Sequence, residues 1–354
     1  MKILLTGNYN WHVPIMHNCA HALERHGCTV YRFDSEDRTH GALLTAMRIA
    51  KSLAKIVGKK KAVSEIFKRI IYNKRRDRLL NAIDLFKPDG LVVMRLGGFD
   101  VDTLQMLRRT IITACWMLEP RGLQSVREEM VGYDLYYSMH KFHERVGATY
   151  LPAFAQDPEN FFTDSNVAKD IPVLFVGSWS PRRQQWIESL QPLASRLTII
   201  GWKWKDKLGS KHPLYKCVKH DWTDVNGLRI WYQRADIVIN INRLDSNEAT
   251  GGNLRLADVP ACGTVLLTEH SDDLENHFIS GKEIIEFRSQ NQMYEKCVQL
   301  IEDPMLRYDI SQAGLKALRR IGSYNERMLH LLSDIERIRN QPGKCSGRLV
   351  QTVN

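Results

Sequence analysis

The sequence predicts an α/β protein made of two doubly wound, Rossmann-like domains. Three observations carry that prediction. At 354 residues the chain is longer than one hydrophobic core usually supports, since domains run to roughly 100–200 residues. Short apolar runs alternate with helical or polar stretches, the pattern of a parallel sheet covered on both faces. The series then breaks at a polar stretch, 156–170, and restarts.

The first series opens with Ile3-Leu4-Leu5, turns at Gly7-Asn8-Tyr9-Asn10, and places Ile15, Cys19, Ala22 and Leu23 at helical spacing, with Gly27 as a helix stop. Strand-like runs follow at 29–33, 91–94, 111–117 and 135–137. These bound an N-terminal domain at 1–155, carrying a helical insertion at about 43–80, with 156–170 as linker. The second series, 173–177, 197–201, 237–240, 265–267 and 284–287, falls in a domain spanning 171–324. Helical patterns occupy 292–302, 306–321 and 325–339. The segment 325–340 is expected to form a C-terminal helix packing back on the N-terminal domain. The polar stretch 341–354, opened by Gln341-Pro342-Gly343, is expected to be a flexible tail. Ligands of open α/β sheets bind beyond the carboxyl ends of the strands, so two such domains facing each other are expected to line a cleft with their strand-to-helix loops.

Composition narrows the class. A hydrophobic fraction of 44% and a charged fraction of 25% are ordinary for globular proteins and argue against disorder or a fibre. No apolar run approaches the ~18–20 residues that cross a bilayer, and the start, Met1-Lys2-Ile3-Leu4-Leu5-Thr6-Gly7, lacks the apolar region of a signal peptide. A cytoplasmic protein, or one peripheral at the inner face of a membrane, is expected. The seven cysteines are scattered and never spaced as Cys-x-x-Cys, so neither a zinc site nor a disulfide framework is expected. The net charge of +10 is concentrated: Arg48 to Arg78 holds twelve Lys or Arg against Glu65 and Asp77. The stripes Leu43, Met47, Ala50, Leu53, Val57 and Val63, Ile66, Phe67, Ile70, Ile71 in and around it have the spacing of two amphipathic helices. So concentrated a charge is read either as a solvated face or as a docking surface for an anionic membrane, an anionic acceptor or a nucleic acid.

The most informative stretch is the buried run Ala235-Asp236-Ile237-Val238-Ile239-Asn240-Ile241, followed after a loop by Gly251-Gly252-Asn253-Leu254-Arg255-Leu256-Ala257-Asp258 and Ala261-Cys262-Gly263. Glycines let backbone approach a ligand, a helix start favours phosphate, and Arg255 adds a charge-assisted contact. Asp258, one turn on, is placed to accept hydrogen bonds from ribose hydroxyls. A nucleoside diphosphate satisfies all of these groups.

Those residues, with Val176-Gly177-Ser178, Arg182-Arg183, Gly201-Trp202, Gly281-Lys282-Glu283-Ile284 and Ala313-Gly314, resemble the CgeB-like (spore-maturation-type) glycosyltransferases, relatives of the GT-B class. In the N-terminal half Lys87-Pro88-Asp89, Trp116-Met117-Leu118-Glu119-Pro120 and Tyr133-Asp134 are similar too, although this chain keeps one acid, Glu119, where the family has a pair, and Ala257-Asp258 where it has Phe-Glu. The resemblance implies the two-domain GT-B fold and transfer from a nucleotide-diphosphate sugar, UDP-linked by preference, to a hydroxyl acceptor on a cell-surface glycan, lipid-linked glycan or protein. No cofactor beyond that co-substrate and no metal are implied. Gly177, Ser178, Arg182, Arg183, Gly201, Gly251, Gly252, Asn253, Leu254, Arg255 and Asp258 become the donor-site candidates, Gly7, Asn8 and Asn10 the sugar and acceptor side, and Glu119 with His12 the catalytic candidates. A base at Glu119 means direct displacement with inversion; a retaining route, which needs no such base, stays open.

Each residue also has a plainer reading. Gly7 and Gly177 also serve as simple connections, Glu119 as a helix cap or partner of Arg121, His12 as a structural histidine, and Trp202, Trp204, Trp222 and Trp231 as core or wall residues. Two other functions compete: a glucosyltransferase that modifies DNA bases, similar to the phage enzymes that use an acid at this place as base, and a GT-B protein that binds nucleotide or nucleic acid without transfer.

Overall fold

The computed structural model describes residues 1–9, 14–35, 50, 60–94, 99–119, 121–242, 253–271 and 273–341. The chain divides into two compact units, one of Met1–Ser138, His143–Thr149 and Arg327–Asn354, the other of Met139–Phe142 and Tyr150–Glu326.

The first unit begins with β1 (Lys2–Gly7), α1 (Ile15–Arg25) and β2 (Thr29–Asp34). The Ile3, Leu4 and Leu5 side chains are fully buried, as a central parallel strand requires, and each gains roughly 1.5–3 kcal/mol from leaving water. On α1, Ile15, Met16, Cys19, Ala22 and Leu23 form the buried stripe. The helix ends where Gly27 takes φ +77°, a left-handed position glycine occupies without the Cβ penalty. Next come α2 (Lys60–Phe86), β3 (Gly90–Met94), α3 (Val101–Arg108), β4 (Ile112–Met117), α4 (Leu123–Met130), β5 (Leu135–Ser138) and β6 (Thr149–Tyr150). The Asp100 side chain caps α3 by accepting the Thr103 amide at 2.7 Å. The sheet runs β2-β1-β3-β4-β5-β6. On α2, Leu79 and Ala82 are buried, whereas Ile66 stays 59% exposed and Ile70 is also exposed, so the apolar stripe of the basic segment meets no core at that end.

The second unit contains β7 (Ile171–Val176), α5 (Pro181–Glu188), β8 (Leu197–Ile200), α6 (Trp204–Leu208), β9 (Val218–His220), α7 (Val225–Arg234), β10 (Ala235–Asn240), α8 (Arg255–Ala261), β11 (Val265–Glu269), β12 (Ile285–Phe287), α9 (Gln290–Glu302) and α10 (Pro304–Ile321). A last helix, α11 (Tyr324–Arg339), starts in this unit, and from Arg327 onward it belongs to the first. There Asp334 accepts a 2.5 Å hydrogen bond from the Tyr137 hydroxyl. No helix among the described residues is long and apolar enough to cross a membrane.

The second sheet runs β12-β11-β10-β7-β8-β9, and its pairs β7–β8, β8–β9, β7–β10, β10–β11 and β11–β12 are parallel. Alternate residues feed two cores: Val173, Phe175, Ile237 and Ile239 pack on one face, Leu174 and Val238 on the other. This is the period-two burial of a sheet covered on both sides. Because β7 is flanked by β10 and β8, the strand order reverses between β7 and β10, the place where doubly wound sheets leave a crevice at the strand ends.

Two glycines fix that end of the sheet. Gly177 donates its amide to the Ile200 carbonyl at 2.8 Å, and its own carbonyl accepts the Trp204 indole N–H at 2.7 Å. A Cβ at Gly201 would lie 1.9 Å from the same carbonyl oxygen, so the two backbones touch and only glycine fits. Gly201→Ala is therefore expected to lower stability by about 2 kcal/mol or more, through overpacking against backbone. Chemical-denaturation midpoints measure it, and an unchanged midpoint refutes the contact.

Candidate functional site

At the β7/β10 reversal one guanidinium ties the strands together. Arg255, first residue of α8, donates Nη2 to the Val176 carbonyl at the end of β7, 2.7 Å, and Nη1 to Asn240 Oδ1 at the end of β10, 3.3 Å. Asn240 is itself fixed: its Nδ2 donates to Thr268 Oγ1 on β11 at 2.9 Å, and its Oδ1 accepts Asn253 Nδ2 at 2.8 Å. A continuous polar chain thus runs Thr268–Asn240–Asn253 and Asn240–Arg255–Val176 across three strand ends. The Arg255 Nε is buried with no hydrogen-bond partner, and buried Tyr232 hydrogen-bonds to the same side chain.

The start of α8 is shorter of open donors than the sequence implies. The Arg255 amide donates to Asn253 Oδ1 at 3.1 Å and the Leu256 amide to the Asn253 carbonyl at 3.1 Å, while the Leu254 carbonyl accepts the Ala257 and Asp258 amides at 3.0 Å each. Asn253 and Leu254 thus cap the helix from within, and an anion here would rely on Arg255 more than on those two amides. Gly251 and Gly252 lie outside the described residues, as do Asn10 and His12.

Asp258 is 6% exposed and sits beneath the same turn. Burial, then the neighbouring Asp157 carboxylate, hold its carboxyl well above the usual carboxylate range, with Arg255 opposing them. Asp157, also buried, accepts hydrogen bonds from Asn160 Nδ2 at both carboxylate oxygens, at 3.0 and 2.9 Å. A ribose contact through Asp258 requires this carboxyl to be uncovered.

Arg182 and Arg183 differ from the expectation of two cations aimed at a diphosphate, because both are engaged with protein. Arg183 is 9% exposed and donates to the Ile241 carbonyl, Nη2 at 3.1 Å, and to the Ser178 carbonyl, Nη1 at 3.1 Å. Arg182 pairs with Glu269 and donates to the Asn242 carbonyl at 2.9 Å. They clamp the β10 exit loop to the β7 turn and so shape the crevice wall. Ser180 caps α5 by accepting the Arg183 amide at 3.2 Å, and Ser178 is exposed in that turn.

In the first unit Gly7 ends β1 and Asn8 follows it, half-buried. A Cβ at Gly7 would lie 2.5 Å from the Met16 sulfur and 2.9 Å from the Met94 carbonyl, so packing alone requires this glycine. Glu119 stands two residues beyond β4, half-buried. It interacts electrostatically with Glu129 on α4, whose carboxyl is pushed up to about 7 by burial and by Glu119, against the pull of Arg121 and a hydrogen bond with Tyr136. Glu129 was not singled out from sequence. Its signal was its place three residues after buried Val126, on the inward side of α4.

Residues 182–333 match the family model described as glycosyl transferase-like. Among solved structures, sucrose-phosphate synthase from Thermosynechococcus elongatus superposes with a TM-score of 0.69 at 11% identity, covering 96% of this chain and 99% of that one. HepE from Anabaena in complex with UDP and glucose gives 0.62 at 11% identity, over 95% and 100%. An alpha-glucosyltransferase in complex with UDP-glucose and DNA containing an abasic site gives 0.60 at 11% identity, over 95% and 98%. The fold is that of the GT-B glycosyltransferases. No curated protein matches the chain in sequence. Within this GT-B fold the matched stretch takes in α5, β10, α8 and β11, the elements that meet around Arg255.

The acid pair in the first unit yields a pH test. A folded-state value near 7 against an ordinary 4.5 means that Glu129 keeps its proton on folding where the unfolded chain has lost it. The associated stability is complete below about 4.5 and is lost as pH rises through 7. Such a shift is worth at most about 3 kcal/mol, reduced to on the order of 1–2 kcal/mol by partial exposure. Glu129→Gln is expected to melt higher than the parent at pH 8 and with it at pH 4.5; a constant difference at both pH values would refute the burial of an ionisable acid.

Proposed function

We propose that this protein is a nucleotide-sugar-dependent glycosyltransferase that takes a UDP-linked sugar and passes it to a hydroxyl acceptor. The observation that carries the reading is Arg255, fixed by Val176 and Asn240 at the strand-order reversal of a unit whose sequence matches the glycosyl transferase-like model. A guanidinium fixed at that place suits a diphosphate, whose negative charge grows as the sugar leaves. UDP is favoured over other nucleotides because HepE and the alpha-glucosyltransferase, which share the fold, hold UDP or UDP-glucose.

In this reading the Glu119 carboxylate takes the proton of the acceptor hydroxyl while the acceptor oxygen bonds to the anomeric carbon. The bond from that carbon to the diphosphate oxygen breaks, and its electron pair leaves on UDP. Arg255 rather than a metal neutralises the leaving group, and with Glu119 as the base configuration inverts; the retaining route, which needs no such base, is the alternative. The acceptor is anionic or membrane-associated, drawn to the net charge of the basic helix α2; the open groove beside that helix is mixed in charge, lined by Arg69 and Arg76 together with Asp77, Asp100 and Asp102.

A ligand that binds only the folded state raises its melting temperature, so a thermal-shift panel of UDP-sugars and other nucleotide sugars tests the reading. A UDP-sugar is expected to stabilise the protein. Arg255→Ala is expected to weaken donor binding about ten-fold or more, the worth of a hydrogen bond to a charged group. Glu119→Gln is expected to bind donor normally and lose transfer. Absence of any shift would favour a binding protein of another kind. Transfer to hydroxymethylated DNA but not to glycan or lipid-linked acceptors would favour the DNA-modifying reading, which the DNA-bound structural neighbour keeps in view.

A further inference from the structure

The four tryptophans grouped at the outset as core or wall have different placements. Trp204 is fully buried and serves the Gly177 carbonyl, whereas Trp202 is 58% exposed although it leaves the sheet directly after β8. A single exposed aromatic is ordinary on a protein surface; the backbone that holds this one is not. Lys203 next to it has φ +69° and ψ 4°, a left-handed conformation uncommon for a residue with a Cβ. Such local strain persists only where surrounding structure imposes it, and it gathers at ligand sites.

The constraints on Trp202 lead back to Arg255. Arg255 is bonded to the Val176 carbonyl, Gly177 follows Val176, and the Gly177 carbonyl lies against Gly201, the residue before Trp202. The Trp202 carbonyl accepts the Trp179 amide at 2.9 Å, which joins its loop to the β7 turn a second time. The Lys203 ammonium stands 3.9 Å from the centroid of the indole and covers one face of the ring, a cation–π contact that holds the plane in place. The residue nevertheless keeps 58% of its surface exposed, area on which a flat partner can lie.

The geometry points to Trp202 as the stacking platform for the nucleobase of a nucleoside diphosphate whose phosphates are held at Arg255. This subsite rests on the donor-site reading above and adds to it the group that recognises the base. An indole offers an extended π-face to any base, so it contributes affinity more than choice among bases. Lys203 belongs to the subsite as the residue that positions the ring.

Calorimetric titration of the full chain with UDP and, separately, with inorganic pyrophosphate tests the subsite. Base–aromatic stacking predicts that Trp202→Ala weakens UDP binding about ten-fold or more, that Trp202→Phe retains most of it, and that pyrophosphate binds parent and Trp202→Ala alike. Since the side chain is largely outside the core, near-ultraviolet circular dichroism of the variants is expected to match the parent apart from one indole. UDP binding within two-fold of the parent in Trp202→Ala, alongside its loss in Arg255→Ala, would overturn the subsite and leave the donor-site reading standing. Equal weakening of UDP and pyrophosphate in Trp202→Ala would overturn it as well, because the effect would then be on the phosphate anchor. If the parent binds neither probe, the donor-site reading fails and takes the subsite with it.

Discussion

The second unit depends on the Arg255 cross-tie. Strands β7 and β10 are neighbours in the sheet but distant in sequence, and the strand order reverses between them, the place where such sheets leave a gap at their carboxyl ends. The guanidinium closes that gap with one hydrogen bond to each strand, and the Asn240 and Asn253 amides set the direction from which it does so. The neighbouring arginines work on the same seam from α5, where Arg183 holds Ser178 and Ile241 and Arg182 holds Asn242 and Glu269. Carbonyls, amides and one carboxylate replace the water that these partly buried guanidinium groups lose.

The architecture was legible because parallel strands covered on both faces are written as uninterrupted apolar runs. The run at 265–267 became β11 (Val265–Glu269), and the runs at 91–94 and 237–240 became β3 and β10, each lengthened by a residue or two at an end. The strands that escaped, β6 and β9, are two and three residues long at sheet edges, where half the side chains face solvent and no apolar run is required. Gly27 was readable as a helix stop since its signal is local. Gly177 and Gly201 could be flagged but not explained, because what excludes a side chain at Gly201 is a carbonyl on another strand.

Partners chosen by the tertiary fold were the least legible. The sequence marks Arg182, Arg183 and Arg255 alike as cations near a glycine turn. The fold commits the first two to backbone carbonyls and Glu269 and leaves the third with a buried Nε–H unpartnered. Glu129 was hidden by its neighbour Glu128, since an acid pair on a short surface helix reads as solvated; only the turn of α4 shows that one of the two points towards Tyr136 and Glu119. In the sequence Asn240 only closes an apolar strand, and its role as the amide that orients Arg255 depends on Thr268, twenty-eight positions away.

The meeting of Gly177 and Gly201 has a dynamic consequence. With the Gly177 carbonyl held by the Trp204 indole and pressed against Gly201, the loops leaving β7 and β8 cannot swing independently; they form one stiff rim. A molecule arriving at that rim finds the turn and the adjoining indole already in mutual register, so little conformational entropy is surrendered on association and the affinity of such a platform reflects preorganisation. Mobility, where the cycle of arrival and departure calls for it, has to come from other parts of the chain.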